Sequence, residues 1–181
     1  MKKSFLTIVA LVIISLSAFA QKQVSTNTHI KFFSTTPVED IEANNFKSVS
    51  TIDTTTGDIV FSVPMQSFEF EKSLMQKHFN SKKFLNTKAN PKAKLKGKIT
   101  NLNAVKFNKD GSYMVNVEGV LTINGVSKSI KEGVTFTIKE GKVNLTSKFN
   151  VTLADYEVAF KKGKPSKNIA KIVEVTVEAN Y

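Results

Sequence analysis

The sequence predicts an all-β protein with about eight antiparallel strands and one short helix, on three observations. Apolar and polar residues alternate with period two along most of the chain, as in strands with one buried and one solvated face. Glycine, aspartate and asparagine residues that favour tight turns separate these runs at short intervals. Only one segment has helical spacing. Because no long helical pattern separates the strands, sequential strands are expected to pair antiparallel.

The first 20 residues have the pattern of a secretory signal peptide. Lys2 and Lys3 precede an almost wholly apolar stretch from Phe5 to Leu16, and Ala18-Phe19-Ala20 forms an A-x-A cleavage site. The apolar stretch is too short and wrongly flanked for a membrane span. We therefore predict a cleaved signal peptide over residues 1–20 and one domain over residues 21–181, periplasmic or secreted after export.

Strand-like runs account for most of the remaining chain. Apolar residues recur at every second position over 30–32, 59–63, 93–99, 113–123, 134–138, 143–153 and 173–179. The turn sequences between them are Thr56-Gly57-Asp58, Lys109-Asp110-Gly111, Asn124-Gly125 and Lys139-Glu140-Gly141. An Asn-Gly pair between two such runs is the strongest short-range signal for a two-residue β-hairpin, since both turn positions need a positive φ.

The segment from Phe70 to Asn86 interrupts the alternation. Four of its residues share one helical face: Leu74, Met75, His78 and Phe79. This pattern predicts one short helix that covers an open end of the sheet. Two architectures fit the whole pattern, a closed barrel and a sandwich of two sheets, and a barrel of eight strands can be either filled or hollow.

Residues for catalysis or metal binding are missing from the sequence. The chain has no cysteine, which excludes thiol chemistry, and its two histidines have no metal-ligand partner at suitable spacing. Serine-nucleophile motifs and glycine-rich nucleotide loops are absent as well. We predict no enzymatic activity, no metal and no cofactor. His78 is either a structural residue on the inner edge of the helix or a hydrogen-bond partner for a ligand headgroup.

All 26 basic residues are lysine, against 15 acidic residues, so the formal net charge is +11. A basic surface suits anionic partners, but the absence of arginine argues against nucleic acid. Four lysines alternate along one predicted strand: Lys92, Lys94, Lys96 and Lys98. They form either a solvated face that discourages edge pairing, or a positive rim for a phosphate headgroup or an anionic membrane surface. Three lysines near the helix would add to such a rim: Lys77, Lys82 and Lys83.

Three ordered motifs resemble those of the YceI-like family. They are GVLTINGVSKSI at 119–130, LMQKHFNSKKFLN at 74–86 and FNVTLADYEV at 149–158. The resemblance implies a lipocalin-like antiparallel β-barrel of about eight strands with a helix near one end. It also implies an exported bacterial protein that binds a long polyisoprenoid in the barrel. The chain departs from the family at Asn124, where histidine is frequent, and at Glu157, where glycine is common.

The aromatic residues are mostly phenylalanine, 14 against 3 tyrosines and no tryptophan, which suits an apolar wall without polar demands. We predict a long-chain isoprenoid or another apolar lipid as the partner. The predicted lipid-binding residues are Phe61, Phe68, Phe70, Leu74, Met75, His78, Phe79, Phe84, Leu121, Phe136 and Phe149. The same residues could instead form the packed core of a filled barrel or sandwich that acts as a protein-interaction or stress-associated module without a ligand.

Overall fold

A computed structural model of the chain describes residues 22–158 and 169–181, so the predicted signal peptide lies outside the described residues. The strands are β1 Lys22–Thr35, β2 Asp40–Asp53, β3 Asp58–Pro64, β4 Glu69–Phe70, β5 Lys92–Ile99, β6 Gly111–Ile123, β7 Val126–Lys139, β8 Lys142–Thr152 and β9 Ile172–Asn180. The helix α1 spans Ser73–Asn80, and 3₁₀ turns span Met65–Ser67, Leu102–Ala104 and Leu153–Tyr156.

Eight of these strands close into an antiparallel barrel. Their order is β1-β9-β8-β7-β6-β5-β3-β2, and β2 pairs back with β1 to complete the ring. The two-residue strand β4 adds to β2 outside the ring, through the pair Ala43 and Phe70. The closed ring confirms the predicted barrel with a short helix and excludes the sandwich.

Strand β2 is absent from the runs that the sequence predicts. Its inward-facing residues are mostly small or polar, with Ala43, Asn45, Ser48 and Ser50 fully buried. The facing also changes phase at a bulge, where the β1–β2 register shifts around Thr28. The Asn45 side chain holds this bulge by donating to the Pro64 carbonyl at 2.8 Å and accepting from the Lys47 backbone N–H at 2.9 Å. A phase change among polar residues removes the alternation by which a strand is recognised.

Gly119, the first residue of the hairpin motif, lies where β5 and β6 approach most tightly. It pairs directly with Gly97. A Cβ placed on Gly119 would lie 2.4 Å from the Lys96 carbonyl oxygen and 2.5 Å from the Gly97 Cα. Only glycine fits here, because the neighbouring backbone leaves no room for a side chain.

One end of the barrel, which we call the closed end, is packed solid. Its interior is filled by Ile52, Val115, Phe136, Ile138 and Val143, all at most 3% exposed. The Phe136 ring meets the Phe107 ring edge-on, with centroids 5.7 Å apart. This packing buries apolar surface as a conventional core does.

A buried polar network completes the closed end between β1, β2 and the chain terminus. The Tyr181 hydroxyl donates to Ser50 Oγ at 2.8 Å, and Ser50 Oγ lies 3.1 Å from Thr28 Oγ1. Thr28 Oγ1 also donates to Ser25 Oγ at 3.3 Å. Burial raises the pKa of Tyr181 to about 12. Because the hydroxyls bond one another, their burial leaves few polar groups unsatisfied.

The opposite end, which we call the open end, carries α1, the β6–β7 hairpin turn and the Leu153–Tyr156 turn. The hairpin turn is Asn124-Gly125, with φ values of 52° and 78°. Asn124 Oδ1 accepts from Asn90 Nδ2 at 2.9 Å, and its Nδ2 donates to the Tyr156 carbonyl at 3.2 Å. The Asn-Gly motif is therefore a tight turn as predicted, and Asn124 also ties three segments together across the open end.

Candidate ligand-binding cavity

The open end of the barrel contains an apolar cavity of about 700 Å³. Its floor is formed by fully buried Ile59, Val117 and Leu145, which separate it from the closed end. Its wall carries inward-facing residues of β1, β3, β5, β6, β7, β8 and β9. A volume of this size lies within the usual range of ligand pockets, about 300–1,000 Å³.

A cluster of phenylalanines forms the wall of the cavity beside α1. Phe79 is its centre, since its ring centroid lies 5.0 Å from Phe70, 5.6 Å from Phe68 and 5.7 Å from Phe32. Phe84 adds to Phe79 at 6.2 Å. Phe79 is also the one buried residue of α1, so this contact holds the helix on the barrel. The rings present faces and edges with no polar group to satisfy.

The structure brings ten of the eleven predicted lipid-binding residues to this cavity. They are Phe61, Phe68, Phe70, Leu74, Met75, His78, Phe79, Phe84, Leu121 and Phe149. Phe136 does not line the cavity, because its position on β7 falls in the closed end. His78 lies at the mouth on the exposed side of α1, and Leu74 there is 62% exposed. That these side chains contact a lipid remains a prediction.

Few polar groups line the cavity. At the mouth, Lys72 Nζ donates to the carboxylate of Glu39 at 2.9 Å, which joins the start of α1 to the β1–β2 turn. This hydrogen bond raises the pKa of Lys72. Thr36 shapes that turn by accepting from the backbone N–H of Glu39 at 3.1 Å. Inside, Glu132 faces the cavity from β7, and burial raises the pKa of its carboxyl group.

The predicted set of lipid-binding residues omits two groups that line the cavity. The first is the wall built by β1 and β9, with Ile30, Phe32, Val173, Val175 and Val177. Their alternation marks strands, but only the closure of the ring shows that they face the same space as β6. The second is Glu132, which lies at the inward parity of β7 two residues before Val134. This two-residue spacing from Val134 is the sequence signal that could have identified Glu132 as an inward-facing residue.

The described residues show neither a metal centre nor a membrane-spanning helix. Within 22–158 and 169–181, no group of three or more histidine, aspartate and glutamate side chains could hold a metal ion. In the same part of the chain, no helix has the length and apolar character needed to cross a bilayer. The side chains that line the cavity are mostly apolar.

Comparison with known proteins agrees with this geometry. A family model described as a YceI-like domain matches residues 18–181. The structure is similar to Burkholderia cenocepacia BcnA, with a TM-score of 0.73, 16% identity, and coverage of 88% of this chain and 99% of the other. No curated protein sequence matches the chain.

Two further solved structures have the same fold. A polyisoprenoid binding domain from Saccharophagus degradans, implicated in plant cell wall breakdown, aligns with a TM-score of 0.73, 12% identity, and coverage of 89% and 98%. The YceI protein of Campylobacter jejuni aligns with a TM-score of 0.57, 17% identity, and coverage of 74% and 78%. At these identities the alignments establish the fold.

Proposed function

Because this chain belongs to the YceI-like family, we propose that it is an exported lipid-binding protein that holds a long apolar chain, such as a polyisoprenoid, for carriage or storage. The observation that carries the proposal is the apolar cavity of about 700 Å³ at the open end. Each methylene group moved from water into such a space contributes about 0.8 kcal/mol. A few isoprene units could therefore bind well without any charged contact, and no catalytic step is assigned.

The Saccharophagus degradans protein supports the choice of ligand, since it shares the fold and is described as a polyisoprenoid binding domain. The alternative of a filled barrel that acts as a protein-interaction module gains no support from a hollow open end. Export is proposed from the signal-peptide pattern of residues 1–20. Intact mass measurement of the protein from the culture's periplasmic and secreted fractions should give a chain that begins at Gln21.

Lipid binding can be tested directly by native mass spectrometry of protein purified without detergent. The expected result is an added mass that is released on collisional activation and corresponds to a prenyl lipid. A homogeneous unliganded mass that takes up no added polyprenyl lipid would reject the proposal.

A fluorescence measurement locates the ligand, because the chain contains no tryptophan. Leu95 lines the cavity, whereas Val120, on the adjacent strand β6, faces outward and is 44% exposed. The emission of Leu95→Trp should shift to the blue when lipid is added, because the lipid displaces the water around the indole ring. The matched variant Val120→Trp should show no shift. Equal responses of both variants would place the lipid outside the barrel.

An anionic membrane surface is the partner from which we propose the lipid is exchanged. From position 72 to position 109 the chain has eleven lysines and no acidic residue. The first nine lysines of this segment are Lys72, Lys77, Lys82, Lys83, Lys88, Lys92, Lys94, Lys96 and Lys98. Lys72 directly precedes α1, Lys77 lies on α1, and Lys92 begins β5. Lys82, Lys83 and Lys88 lie in the loop between them, beside the mouth. Within the described residues, only Lys72 and Lys98 of this set have a carboxylate within 4.0 Å. The positive electrostatic field of these lysines attracts a negatively charged surface at short range.

Vesicle flotation tests this contact. The protein should float with vesicles containing phosphatidylglycerol at low salt and not with phosphatidylcholine alone. Lys82→Glu/Lys83→Glu should weaken the flotation, whereas Lys139→Glu/Lys142→Glu, at the closed end, should weaken it much less. Equal effects of the two double variants would show that net charge alone governs binding.

A further inference from the structure

The barrel wall is interrupted between β7 and β8. Their ladder covers only the pairs from Thr135 with Thr146 to Lys139 with Lys142. Beyond it, residues 126–134 of β7 pair with β6, and residues 147–152 of β8 pair with β9. Within the described chain these two stretches do not pair with each other. We call the gap between residues 126–134 and 147–152 the side window.

Hydrogen bonds mark both limits of the side window. Where the ladder ends, Ser147 Oγ donates to the Gly133 carbonyl at 2.7 Å. At the open end, Asn124 Nδ2 donates to the Tyr156 carbonyl at 3.2 Å, which fixes the Leu153–Tyr156 turn beside the hairpin. Among the described residues, the window is therefore a bounded gap in the ladder between β7 and β8.

A second, polar cavity of about 290 Å³ occupies the side window. It shares five lining residues with the apolar cavity: Leu121, Ile130, Glu132, Phe149 and Val151. The remaining lining residues are polar: Lys128, Ser129, Asn150, Thr152, Asp155 and Tyr156. The two cavities meet at the shared residues, so a polar compartment adjoins the apolar one.

Glu132 lies at this junction. Its side chain follows the inward parity of Val134 and Phe136 on β7, and it lines both cavities. Among the described residues, its carboxylate makes no hydrogen bond within 3.5 Å and no ion pair within 4.0 Å. Partial burial disfavours the charged form of this carboxylate and raises its pKa, and a ligand that donates a hydrogen bond would offset that cost.

We propose that the side window holds the polar end of the bound lipid, and that Glu132 selects an uncharged hydroxyl group over a phosphate. This inference rests on the proposed function, because the tail is taken to occupy the apolar cavity. An alcohol donates its O–H to the Glu132 carboxylate and accepts from neighbouring groups such as Asn150. Glu132 thus acts as a specificity-determining residue at the polar end.

The charges around the window disfavour a phosphate. Among the described residues that line the window, Glu132 and Asp155 carry two negative charges and Lys128 carries one positive charge, while the nearby Lys131 and Lys148 are paired with Glu118 and Glu174. Burial raises the pKa of the Tyr156 hydroxyl, and the nearby charges of Asp155 and Glu132 raise it further. A phosphate placed beside an unpaired, half-buried carboxylate adds like-charge repulsion where screening is weak. The lysines near the mouth lie on the opposite side of the hairpin turn, along α1 and β5.

A matched pair of ligands tests the assignment, namely farnesol and farnesyl monophosphate. Their affinities are measured by displacement of the neutral dye N-phenyl-1-naphthylamine from wild-type protein, Glu132→Gln, Glu132→Lys and Glu118→Gln. Glu118→Gln is the control, since Glu118 carries the same charge one strand away but faces outward, paired with Lys131 at 2.7 Å.

Wild-type protein should bind farnesol at least about tenfold more tightly than farnesyl monophosphate. Glu132→Gln should tighten phosphate binding about tenfold with less than about threefold change for farnesol, and Glu132→Lys should invert the preference. Glu118→Gln should leave the ratio within about twofold. If wild-type protein prefers the phosphate, or if the Glu132 variants keep the wild-type ratio, the inference fails while lipid binding stands. If no variant takes up the dye or either ligand, the proposed function fails, and the inference fails with it.

Discussion

The two ends of this barrel are built from the same strands, but the interior of one end is filled by side chains and the interior of the other contains a cavity. The closed end fills its interior with Phe136 and aliphatic side chains, and seals it with the network of Thr28, Ser50 and Tyr181. The open end leaves about 700 Å³ between equally apolar side chains. The difference teaches that a continuous run of inward-facing apolar residues does not decide whether a barrel is filled. One end supplies stability, and the other is free to hold a ligand.

The largest expected difference between the ends comes from removing one phenylalanine from each. Phe136→Ala should lower the free energy of unfolding by about 3–5 kcal/mol, because it leaves a new cavity in packed surroundings. Phe149→Ala should cost about 1–2 kcal/mol, because the space it leaves joins an existing cavity and only the transfer free energy is lost. Urea unfolding of both variants, with unchanged m-values, measures this. Equal losses would mean that the open end is packed in solution.

A second contrast lies within the wall. Gly119→Ala should cost about 3 kcal/mol, because its Cβ would meet backbone atoms of β5 that cannot move aside cheaply. Gly133→Ala is the matched change beside the side window, where a Cβ meets nothing within 4 Å, and it should change stability by less than about 0.5 kcal/mol. Thermal or urea unfolding compares the two. A large loss for Gly133→Ala would contradict the free space around its Cβ.

The closed end should be sensitive to high pH through Tyr181. Its pKa is raised from 10.0 to about 12 in the folded protein, so between these values the unfolded chain loses a proton that the folded protein keeps. Stability should then fall with rising pH, by about 1.4 kcal/mol per pH unit for this group, and be unaffected below pH 10. Urea unfolding at pH 8 and pH 11.5 should show a smaller loss for Tyr181→Phe than for wild-type protein. Identical losses would indicate that the hydroxyl is solvated.

The smallest expected effect concerns the tie across the open end. Asn124→Gly keeps the positive φ of the turn but removes the hydrogen bonds to Asn90 and Tyr156, so it should cost about 1 kcal/mol. Amide hydrogen exchange should rise in the hairpin turn and in residues 153–156, and stay unchanged at the closed end. Faster exchange around Ser50 instead would show that the two ends are coupled.

The sequence was sufficient for the architecture and for much of the cavity. Period-two alternation placed Phe61, Leu121 and Phe149 on inward faces, and the helical spacing placed Phe79 against them. It failed for β2, because Asn45 and Ser48 reverse the facing of the strand at a bulge. It could not separate Phe136 from Phe149, because parity gives the face of a residue but not its height along the barrel axis. That height depends on the register between strands distant in sequence, and the side window depends on where one ladder stops.

The side window also bears on how the protein avoids self-association. Two strand edges lie there with no partner strand within the described chain, and such edges can recruit a strand from another molecule and start aggregation. Three exposed lysines, Lys128, Lys131 and Lys148, lie along these edges, and Lys131 and Lys148 form surface ion pairs with Glu118 and Glu174. Charged side chains along both edges would make docking of a second strand unfavourable, so the gap can remain without causing self-association.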